Sequence, residues 1–340
     1  MTEKSLMRQE IEEIPAAVER LLAAEAVPRV ARRVAADDPA FFVTVARGSS
    51  DHACTFFKYA TELVLGRASA SVGPSVASVY RAPLRLERAV ALSVSQSGGS
   101  PDIVEMTGAA RAGGALTLAL TNTPDSALAG AAEEVVDICA GPEHSVAATK
   151  SFVTSALAAL WLVAEVAQDA ALLAAIRALP EALGRAAQAD WSAAAQAMGE
   201  GGSLYVLGRG PGWAMAQEAA LKFKECCQTH AEAYSSAEVL HGPVSIVGRG
   251  FPVLALACGD AAEAGVAEMA DRLAGQGAEV FATTPLARAA QVLDAPRTGH
   301  GLTDPLALIV AFYAMAEAVA RARGLNPDAP PHLRKATETR

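Results

Sequence analysis

The sequence predicts an α/β protein built from two copies of one unit, each a doubly wound parallel sheet flanked by helices. Two observations lead to this prediction. Short apolar runs alternate with alanine-rich stretches along the chain, which is the pattern of parallel βαβ units. In addition, features of the first half recur in the second half at one constant offset of 162 residues, which indicates an internal duplication.

The apolar runs predict the strands of the two sheets. They read FFVTVA, AVALSVS, ALTLALT and VVDIC in the first half, and SLYVLG, PVLALA and AEVFATT in the second half. Such short runs are typical of strands that are buried on both faces. The alanine-rich stretches between them predict the crossover helices.

Three pairs of landmarks share the offset without gaps. Residues 46–48 correspond to 208–210, residues 91–95 to 253–257, and residues 112–113 to 274–275. The predicted organisation is an N-terminal helical segment (1–27), two homologous domains (28–175 and 186–325) and a C-terminal tail (326–340).

Composition excludes several classes of protein. The 340 residues suffice for two domains with cores of their own, and 52% hydrophobic with 19% charged residues excludes a disordered chain. A net charge of −9 argues against a nucleic-acid surface, which needs clustered Lys and Arg. The five cysteines show neither metal-ligand spacing nor a disulfide framework, which favours buried thiols in a reducing compartment.

The sequence also predicts a cytoplasmic protein without a membrane partner. Its N-terminus is acidic and lacks the apolar run of a signal peptide. The most apolar stretch, residues 152–164, is too short to span a bilayer and is followed by Glu165 and Asp169, so we expect a buried helix there.

A loop rich in hydroxyl groups and glycine follows the second predicted strand. It reads Ser95-Gln96-Ser97-Gly98-Gly99-Ser100, and Pro101 then suits the first turn of a helix that Ser100 would cap. Backbone amides, hydroxyl donors and the positive end of a helix dipole together suit a phosphate monoester. We name residues 95–100 the serine loop and predict that it binds phosphate.

A second loop of this kind follows the neighbouring strand, where Ser49 and Ser50 come after Gly48. Their hydroxyls can reach the same crevice at the carboxyl ends of the strands. Serine and glycine also form ordinary turns, but two such loops after neighbouring strands favour a binding site. In the second half the serine loop is replaced by ACGD at residues 257–260, so we predict one such loop per chain.

Nucleotide-binding motifs find little support. The sequence has no GxxxxGK[ST] P-loop. In the run GRGPGW at residues 208–213, Trp213 stands where a GxGxxG motif needs glycine, and Pro211 removes an amide donor.

A helix predicted over residues 214–229 carries Glu218, Lys222 and Glu225 in one polar arc, as an i,i+4 and an i,i+3 pair. The alternative is a solvent-facing stripe with a surface ion pair. Residues 230–243 then hold two of the six histidines and two carboxylates, and end in a His241-Gly-Pro turn before a strand-like run at 244–247.

These groups suit the interconversion of an aldose and a ketose. That reaction needs one group that opens the sugar ring and one that moves a proton between C1 and C2. An imidazole suits the first task because its pKa lies near neutrality, and a carboxylate fixed on a helix suits the second.

Taken together, the motifs resemble the SIS (sugar isomerase) domain family, specifically the isomerase half of glucosamine-6-phosphate synthase and the stand-alone SIS-type glucosamine-6-phosphate deaminases. The resemblance covers nearly the whole chain. It runs in order through the serine loop, VAATK (146–150), LKFKE (221–225), HAEAY (230–234), HGP (241–243) and LRKAT (333–337).

The resemblance implies a role for each matching residue. Glu225 would move the proton between C1 and C2, His241 would open the ring, and Lys222 would orient the open-chain hydroxyls. Lys335 in the tail would close over the reacting carbon, and Val146 would offer backbone contacts to the sugar. The phosphate would be held by Ser49, Ser50, Ser95, Gln96, Ser97 and Ser100. The resemblance implies neither a metal nor a cofactor.

Three departures from the synthases bear on the reaction. Thr2 follows Met1 where the synthases have the cysteine of a glutaminase domain, Gly99 and Ser100 replace a usual Glu-Thr pair, and Ala148 replaces a serine. Without a glutaminase, the resemblance implies a deaminase that converts glucosamine 6-phosphate and water to fructose 6-phosphate and ammonia. Two alternatives stay open: a deaminase or deglycase of another amino-sugar phosphate (galactosamine 6-phosphate or a fructosyl-amino-acid 6-phosphate), and a non-catalytic phosphosugar sensor.

The resemblance also implies a homodimer with a shared active site, because the ring-opening histidine of the synthases comes from the neighbouring subunit. The alanine-rich stretch at residues 156–175 offers water little polar surface, which likewise favours a second copy that covers it. The expected small-molecule partner is a phosphorylated amino sugar.

Overall fold

The computed structural model describes residues 4–335, which form two compact units. The first unit comprises Ala16–Glu143 and Lys150–Arg177 together with residues 334–335, and the second comprises residues 4–15, His144–Thr149 and Ala178–Leu333. The last residues of the predicted tail, 336–340, and with them part of the LRKAT segment, lie outside the described residues.

The elements up to residue 177 are α1 (Leu6–Glu12), α2 (Ile14–Leu22), α3 (Ala26–Asp37), β1 (Phe41–Val45), α4 (Ser49–Ala60), β2 (Ser69–Ser71), α5 (Ser75–Ser78), β3 (Ala89–Val94), α6 (Pro101–Ala112), β4 (Leu116–Thr121), α7 (Ala127–Ala131), β5 (Glu134–Asp137), α8 (Lys150–Ala167) and α9 (Ala170–Arg177). They continue with α10 (Leu179–Ala186), α11 (Ser192–Glu200), β6 (Ser203–Gly208), α12 (Pro211–Cys227), β7 (His230–Ser235), β8 (Pro252–Ala255), α13 (Glu263–Gly275), β9 (Glu279–Ala282), β10 (Gln291–Val292) and α14 (Asp304–Ala322).

The first unit contains a parallel sheet in the order β2-β1-β3-β4-β5. Every residue of β3 and β4 is buried, which explains why these strands read as continuous apolar runs. After β1 the chain adds β2 on one side of β1, and it then crosses back to add β3 on the other side. The strand order therefore reverses between β1 and β3. Ligands of open α/β sheets bind at such a switch point, beyond the carboxyl ends of the strands.

The second unit repeats this topology. Its parallel sheet has the order β7-β6-β8-β9-β10, and β6, β8 and β9 lie at the predicted offset from β1, β3 and β4. Even the backbone before the first crossover helix is repeated, since Gly48 has φ 55° and ψ −133° and Gly210 has φ 58° and ψ −135°. The predicted fold class, two doubly wound parallel sheets flanked by helices, is therefore confirmed.

Three strands at the sheet edges were not predicted from the sequence, and one predicted strand is wrong. The missed strands, β2, β7 and β10, pair at the sheet edges or carry polar, partly exposed residues, so they lack an apolar run. The strand-like run at 244–247 instead forms a 3₁₀ turn, Pro243–Ile246. Gly242 precedes that turn with φ 127°, and Pro243 lacks the amide hydrogen that a ladder would use.

The two longest helices, α8 and α14, are core helices of their units. Both are long and apolar enough to cross a membrane, but 83% of each apolar window is buried within the protein. Residues of α8 from Phe152 to Ala164 are buried against α3 and α4. The part of the alanine-rich stretch up to residue 164 is thus covered within the first unit, while residues 165–175 include exposed positions, so the expected homodimer stays a prediction.

Candidate active site

The serine loop lies at the switch point of the first sheet. It connects β3 to α6, and Pro101 is the first residue of that helix, as predicted; Ser100 stands at the N-cap position, but its side chain makes no capping hydrogen bond. The backbone carbonyl of Gln96 accepts hydrogen bonds from the Asn122 amide at 3.1 Å and from Thr121 Oγ1 at 3.3 Å. These bonds from the chain after β4 fix the loop on the sheet.

Two serines support the turn from within the loop. Ser95 Oγ accepts from the Gly98 amide at 3.2 Å, and Ser97 Oγ accepts from the Gly99 amide at 3.4 Å. Each hydroxyl hydrogen can still donate to a ligand, since a serine hydroxyl both donates and accepts. Gly98 itself has φ 62°, and a Cβ there would lie 2.0 Å from Ser126 Oγ. Only glycine fits this position.

The second phosphate-binding candidate, Ser49 with Ser50, forms the first turn of α4 beyond Gly48. This loop and the serine loop follow the neighbouring strands β1 and β3, which confirms the predicted common edge of the sheet. An ion pair that the sequence analysis missed joins the two segments: the Arg47 guanidinium contacts Asp102 Oδ2 at 2.8 and 3.1 Å. Asp102 is 1% exposed, whereas Arg47 is exposed, so the guanidinium is the solvent-facing member of this ion pair.

In the second unit the equivalent loop is occupied by a carboxylate of the chain itself. The offset aligns Gly259 with Ser97, and the Gly259 amide donates to Asp304 Oδ2 at 2.8 Å. Arg297 Nη1 contacts the same oxygen at 3.1 Å, and the Thr298 amide and hydroxyl donate to Oδ1 at 2.8 Å. Asp304 thus receives the kind of donors that a bound anion would receive. This explains in physical terms why the second loop needs no hydroxyl groups.

The predicted acid–base residues lie on α12 of the second unit. Lys222 is fully buried, and its ammonium contacts Glu218 Oε1 at 3.3 Å and Glu225 Oε2 at shorter range. Glu218 is also fully buried and accepts from the Tyr313 hydroxyl at 3.1 Å, a contact that the sequence did not indicate. The alternative of a solvent-facing stripe is therefore wrong for Glu218 and Lys222.

The charged groups of Glu218, Lys222 and Glu225 differ in their exposure to solvent. Burial of the Lys222 ammonium lowers its pKa, but the Glu218 and Glu225 carboxylates outweigh that effect and raise the pKa of Lys222 overall. The lysine therefore stays a cation at neutral pH. Four side chains contact one another in the order Tyr313, Glu218, Lys222 and Glu225. Glu225, whose side chain is 21% exposed, is the solvent-accessible end of this series. A carboxylate beside a fixed ammonium can accept a proton from a bound substrate.

The other predicted residues lie in three further segments. His241 is exposed in the turn after Glu238–Leu240, and its amide donates to the Glu238 carbonyl at 2.8 Å. Val146 donates its amide to the Asp328 carbonyl at 3.0 Å.

The segment before Val146 is held by a carboxylate that sequence reasoning missed. Glu10 of α1 is 5% exposed and accepts from the amides of His144 and Ser145 and from the Ser145 hydroxyl. No signal for this contact is visible in the sequence, because Glu10 lies beside the acidic residues Glu12 and Glu13 and looks like one more surface charge.

Lys335 does not stand alone in the first unit. Its Nζ lies 2.7 Å from Oε2 of Glu143, whose side chain is fully buried. Within residues 4–335 there is no cluster of three or more His, Cys, Asp or Glu side chains that could hold a metal ion.

Comparison with known proteins agrees with this geometry. The SIS domain family model matches residues 42–166 and 200–319, which contain the two sheets' central strands and α4, α6, α12 and α13. The chain belongs to the SIS domain family. Two SIS segments in one chain agree with the tandem arrangement predicted from the repeat.

Curated relatives of this SIS protein are glutamine–fructose-6-phosphate aminotransferases (isomerizing). The protein from Aeropyrum pernix is 35% identical over 310 residues, which cover 86% of this chain and 50% of the relative. The one from Symbiobacterium thermophilum is 33% identical over 314 residues, with the same coverage. The chain thus spans about half the length of the curated relatives it matches.

Solved structures share the fold over nearly the whole chain. A candidate phosphosugar isomerase from Silicibacter pomeroyi is 60% identical with a TM-score of 0.93, and the match covers 96% of this chain and all of that one. The glucosamine-6-phosphate deaminase of Thermotoga maritima shares the fold with a TM-score of 0.78 at 19% identity, over 98% of this chain and 100% of its own.

Proposed function

We propose that this SIS protein is a phosphosugar enzyme that deaminates glucosamine 6-phosphate, yielding fructose 6-phosphate and ammonia. The observation that carries the proposal is the arrangement of α12. Glu225 is a carboxylate with access to solvent, and it contacts an ammonium whose charge two glutamates hold in place. Among the described residues this pair has the chemistry for moving a proton between adjacent carbons.

The phosphate half of the substrate is assigned to the first unit. Ser49, Ser50 and the serine loop are the proposed ligands of the phosphate, supported by their position at the sheet switch point. The exposed guanidinium of Arg47, which pairs with Asp102 at the same edge, is a donor that an anionic substrate can contact, and this supports the choice of such a substrate. Val146 is proposed to contact the sugar through its backbone.

The proposed reaction is a sequence of balanced proton transfers. His241 opens the ring to the aldehyde, and Glu225 removes the proton from C2 and returns it to C1 through an enolamine. The resulting imine at C2 adds water and releases ammonia, leaving the ketone of fructose 6-phosphate. Lys222 and Lys335 are proposed to stabilise the oxygen that gains negative charge during these steps.

Other parts of the proposal concern the protein as a whole. We propose domain bounds of 28–175 and 186–325, a cytoplasmic location, and a homodimer in which His241 acts in the partner's site. The exposure of His241 supports the last point, because an exposed imidazole is available to another chain. Closely related substrates, such as galactosamine 6-phosphate or a fructosyl-amino-acid 6-phosphate, would need the same groups.

The test is to incubate the purified protein with a panel of amino-sugar 6-phosphates and to measure ammonia and ketose phosphate together. We expect glucosamine 6-phosphate to yield both in equal amounts. Glu225→Gln keeps the shape of the side chain but not the base, so turnover should fall by about 10²-fold or more with KM little changed. The matched control is Glu200→Gln, which alters an exposed carboxylate at the end of α11.

Two outcomes would contradict the proposal. Near wild-type turnover in Glu225→Gln would remove its proton-transfer role. Tight binding of phosphosugars with no product from any substrate of the panel would favour the non-catalytic sensor instead.

A further inference from the structure

A buried carboxylate holds the C-terminal lysine of the first unit. The Glu143 side chain is fully buried, and Oε2 lies 2.7 Å from the Lys335 ammonium. The same carboxylate accepts from the Ser151 amide at 3.0 Å and from the Ser151 hydroxyl at 2.6 Å. Ser151 lies in the first turn of α8, where the helix has backbone amides without partners of its own.

The charge of Glu143 is maintained against its burial. Burial alone would raise the pKa of this carboxyl, but the Lys335 charge and the hydrogen bonds from Lys335 and Ser151 lower the pKa below its usual value. Glu143 is therefore a carboxylate at neutral pH. The positive end of the α8 dipole adds to this preference.

Ser151 and Lys335, which both contact Glu143, differ in their surroundings. Ser151 belongs to a buried helix, whereas Lys335 follows a segment without regular structure and its side chain is 27% exposed. A long lysine side chain loses much rotational freedom when it is fixed, so it needs a strong partner to stay in one place. A buried carboxylate anchored on a helix is such a partner.

We propose that Glu143 is the positioning residue for Lys335: it holds the ammonium of the tail lysine where the reaction needs it. This inference rests on the proposed function insofar as it concerns turnover. Glu143 touches no substrate in this role; it acts through the lysine. The rate then depends on the Glu143 charge even though substrate binding does not.

Kinetics give the first test, with Glu143→Gln, Lys335→Met and the double variant. Loss of alignment of one reacting group can cost about 10²-fold in rate, so we expect both single variants to lose kcat by about tenfold to a hundredfold with KM little changed. The double variant should be no slower than Lys335→Met, because residues that act as a unit are not additive. Additive losses would overturn the proposal.

If Glu143 had only a structural role, the variants would differ in another way. In that case Ser151→Ala, which removes one of its helix contacts but not its charge, should reduce turnover as much as Glu143→Gln does. We expect Ser151→Ala to retain most of the turnover, and Glu143→Asp, which keeps the charge on a shorter side chain, to fall between wild type and Glu143→Gln. If Glu143→Gln does not fold, Glu143→Asp alone carries the comparison.

A second readout does not depend on activity. Amine acylation of the folded protein, followed by mass spectrometry, measures how fast each lysine reacts. Lys335 should react several times faster in Glu143→Gln than in wild type. Lys58 of the same unit, which is partly exposed and pairs with Glu62, should react at an unchanged rate.

The two experiments separate the two proposals. Faster labelling of Lys335 in a protein that converts none of the sugars would retain the positioning role and reject the deaminase. Unchanged labelling together with an active wild type would reject the positioning role and retain the deaminase.

Discussion

Asp304→Asn tests whether the chain's own carboxylate fills the loop after β8. The wild-type carboxylate is 3% exposed and accepts from the Gly259 amide, from the Thr298 amide and hydroxyl, and from Arg297. Asparagine has the same shape but only one acceptor oxygen. Whichever way the amide is turned, its NH₂ group faces donors on one side.

The expected cost follows from those contacts. Loss of one partner of a buried ion pair costs about 3–5 kcal/mol, and Arg297, whose side chain is 32% exposed, can recover some hydration. We therefore expect the free energy of unfolding to fall by about 3 kcal/mol. For a unit of this size that corresponds to a decrease in Tm of about 6–12 °C.

Calorimetry and urea denaturation measure the effect. The control is Glu181→Gln, which breaks a surface ion pair with Arg185 and should cost less than about 1 kcal/mol. Phosphosugar affinity should not change in Asp304→Asn, because the serine loop belongs to the other unit. A variant that melts with the wild type would refute the reasoning, since the carboxylate would then contribute nothing to its loop.

Three further predictions concern the two loops, the pH dependence of stability and the oligomeric assembly. Ser95→Ala with Ser97→Ala should raise KM for phosphosugars, each hydroxyl being worth about 1.5–3 kcal/mol to a charged group, whereas Gly259→Ser should create no second site by calorimetric titration, because its Cβ would lie 2.9 Å from Asp304 Oδ2. The pKa of Glu143 is lowered from 4.5, so its ion pair should stabilise the protein fully above pH 4.5 and lose this effect as the pH falls through the lower pKa of the folded state. The difference in unfolding free energy between wild type and Glu143→Gln should therefore shrink in that acid range. A difference that grows there would contradict the ion pair. If the site is shared in a dimer, inactive His241→Ala and Glu225→Gln chains that exchange subunits should recover about a quarter of wild-type activity, and mixtures that stay inactive despite proven exchange would exclude sharing.

Much of the fold could be predicted from the sequence because the central strands are buried on both faces. Residues such as those of β3 and β4 must all be apolar, so period and composition identify them. The edge strand β7 could not be identified this way, because HAEAYS alternates polar and small residues on a partly exposed edge. The 3₁₀ turn at Pro243 shows the opposite error, an apolar run whose backbone is set by Gly242 and proline.

The site was predictable where local chemistry decides it and obscure where tertiary packing does. The serine loop is a strand-to-helix loop whose donors all come from six adjacent residues. The contacts of Tyr313 with Glu218, and of Glu143 with Lys335, join residues 95 and 192 positions apart, and nothing in the local sequence indicates them. Burial of Glu218 and Lys222 was equally hidden, because an ion pair at helical spacing is usually exposed.

Comparison of the two repeats favours a chemical role for the buried charges of α12 over a role in folding. At the offset of 162 residues, Glu218 and Lys222 align with Phe56 and Ala60, which are fully buried at the same places in the crossover helix α4. The fold therefore accepts apolar side chains at these positions, and apolar replacements of buried ion pairs are often neutral or stabilising. Keeping two charges there costs desolvation free energy that the first unit avoids.

At the loops, it is the first unit that has the polar groups and the second that lacks them. The first unit keeps the hydroxyl groups of Ser95 and Ser97, while the second has Ala257 and Gly259 at the same places and fills the loop with Asp304. Each unit has thus given up the polar groups that the other retains. Duplicated halves that had only to stay folded would not need such a division, so it supports separate chemical roles for the serine loop of the first unit and the charged residues of α12 in the second.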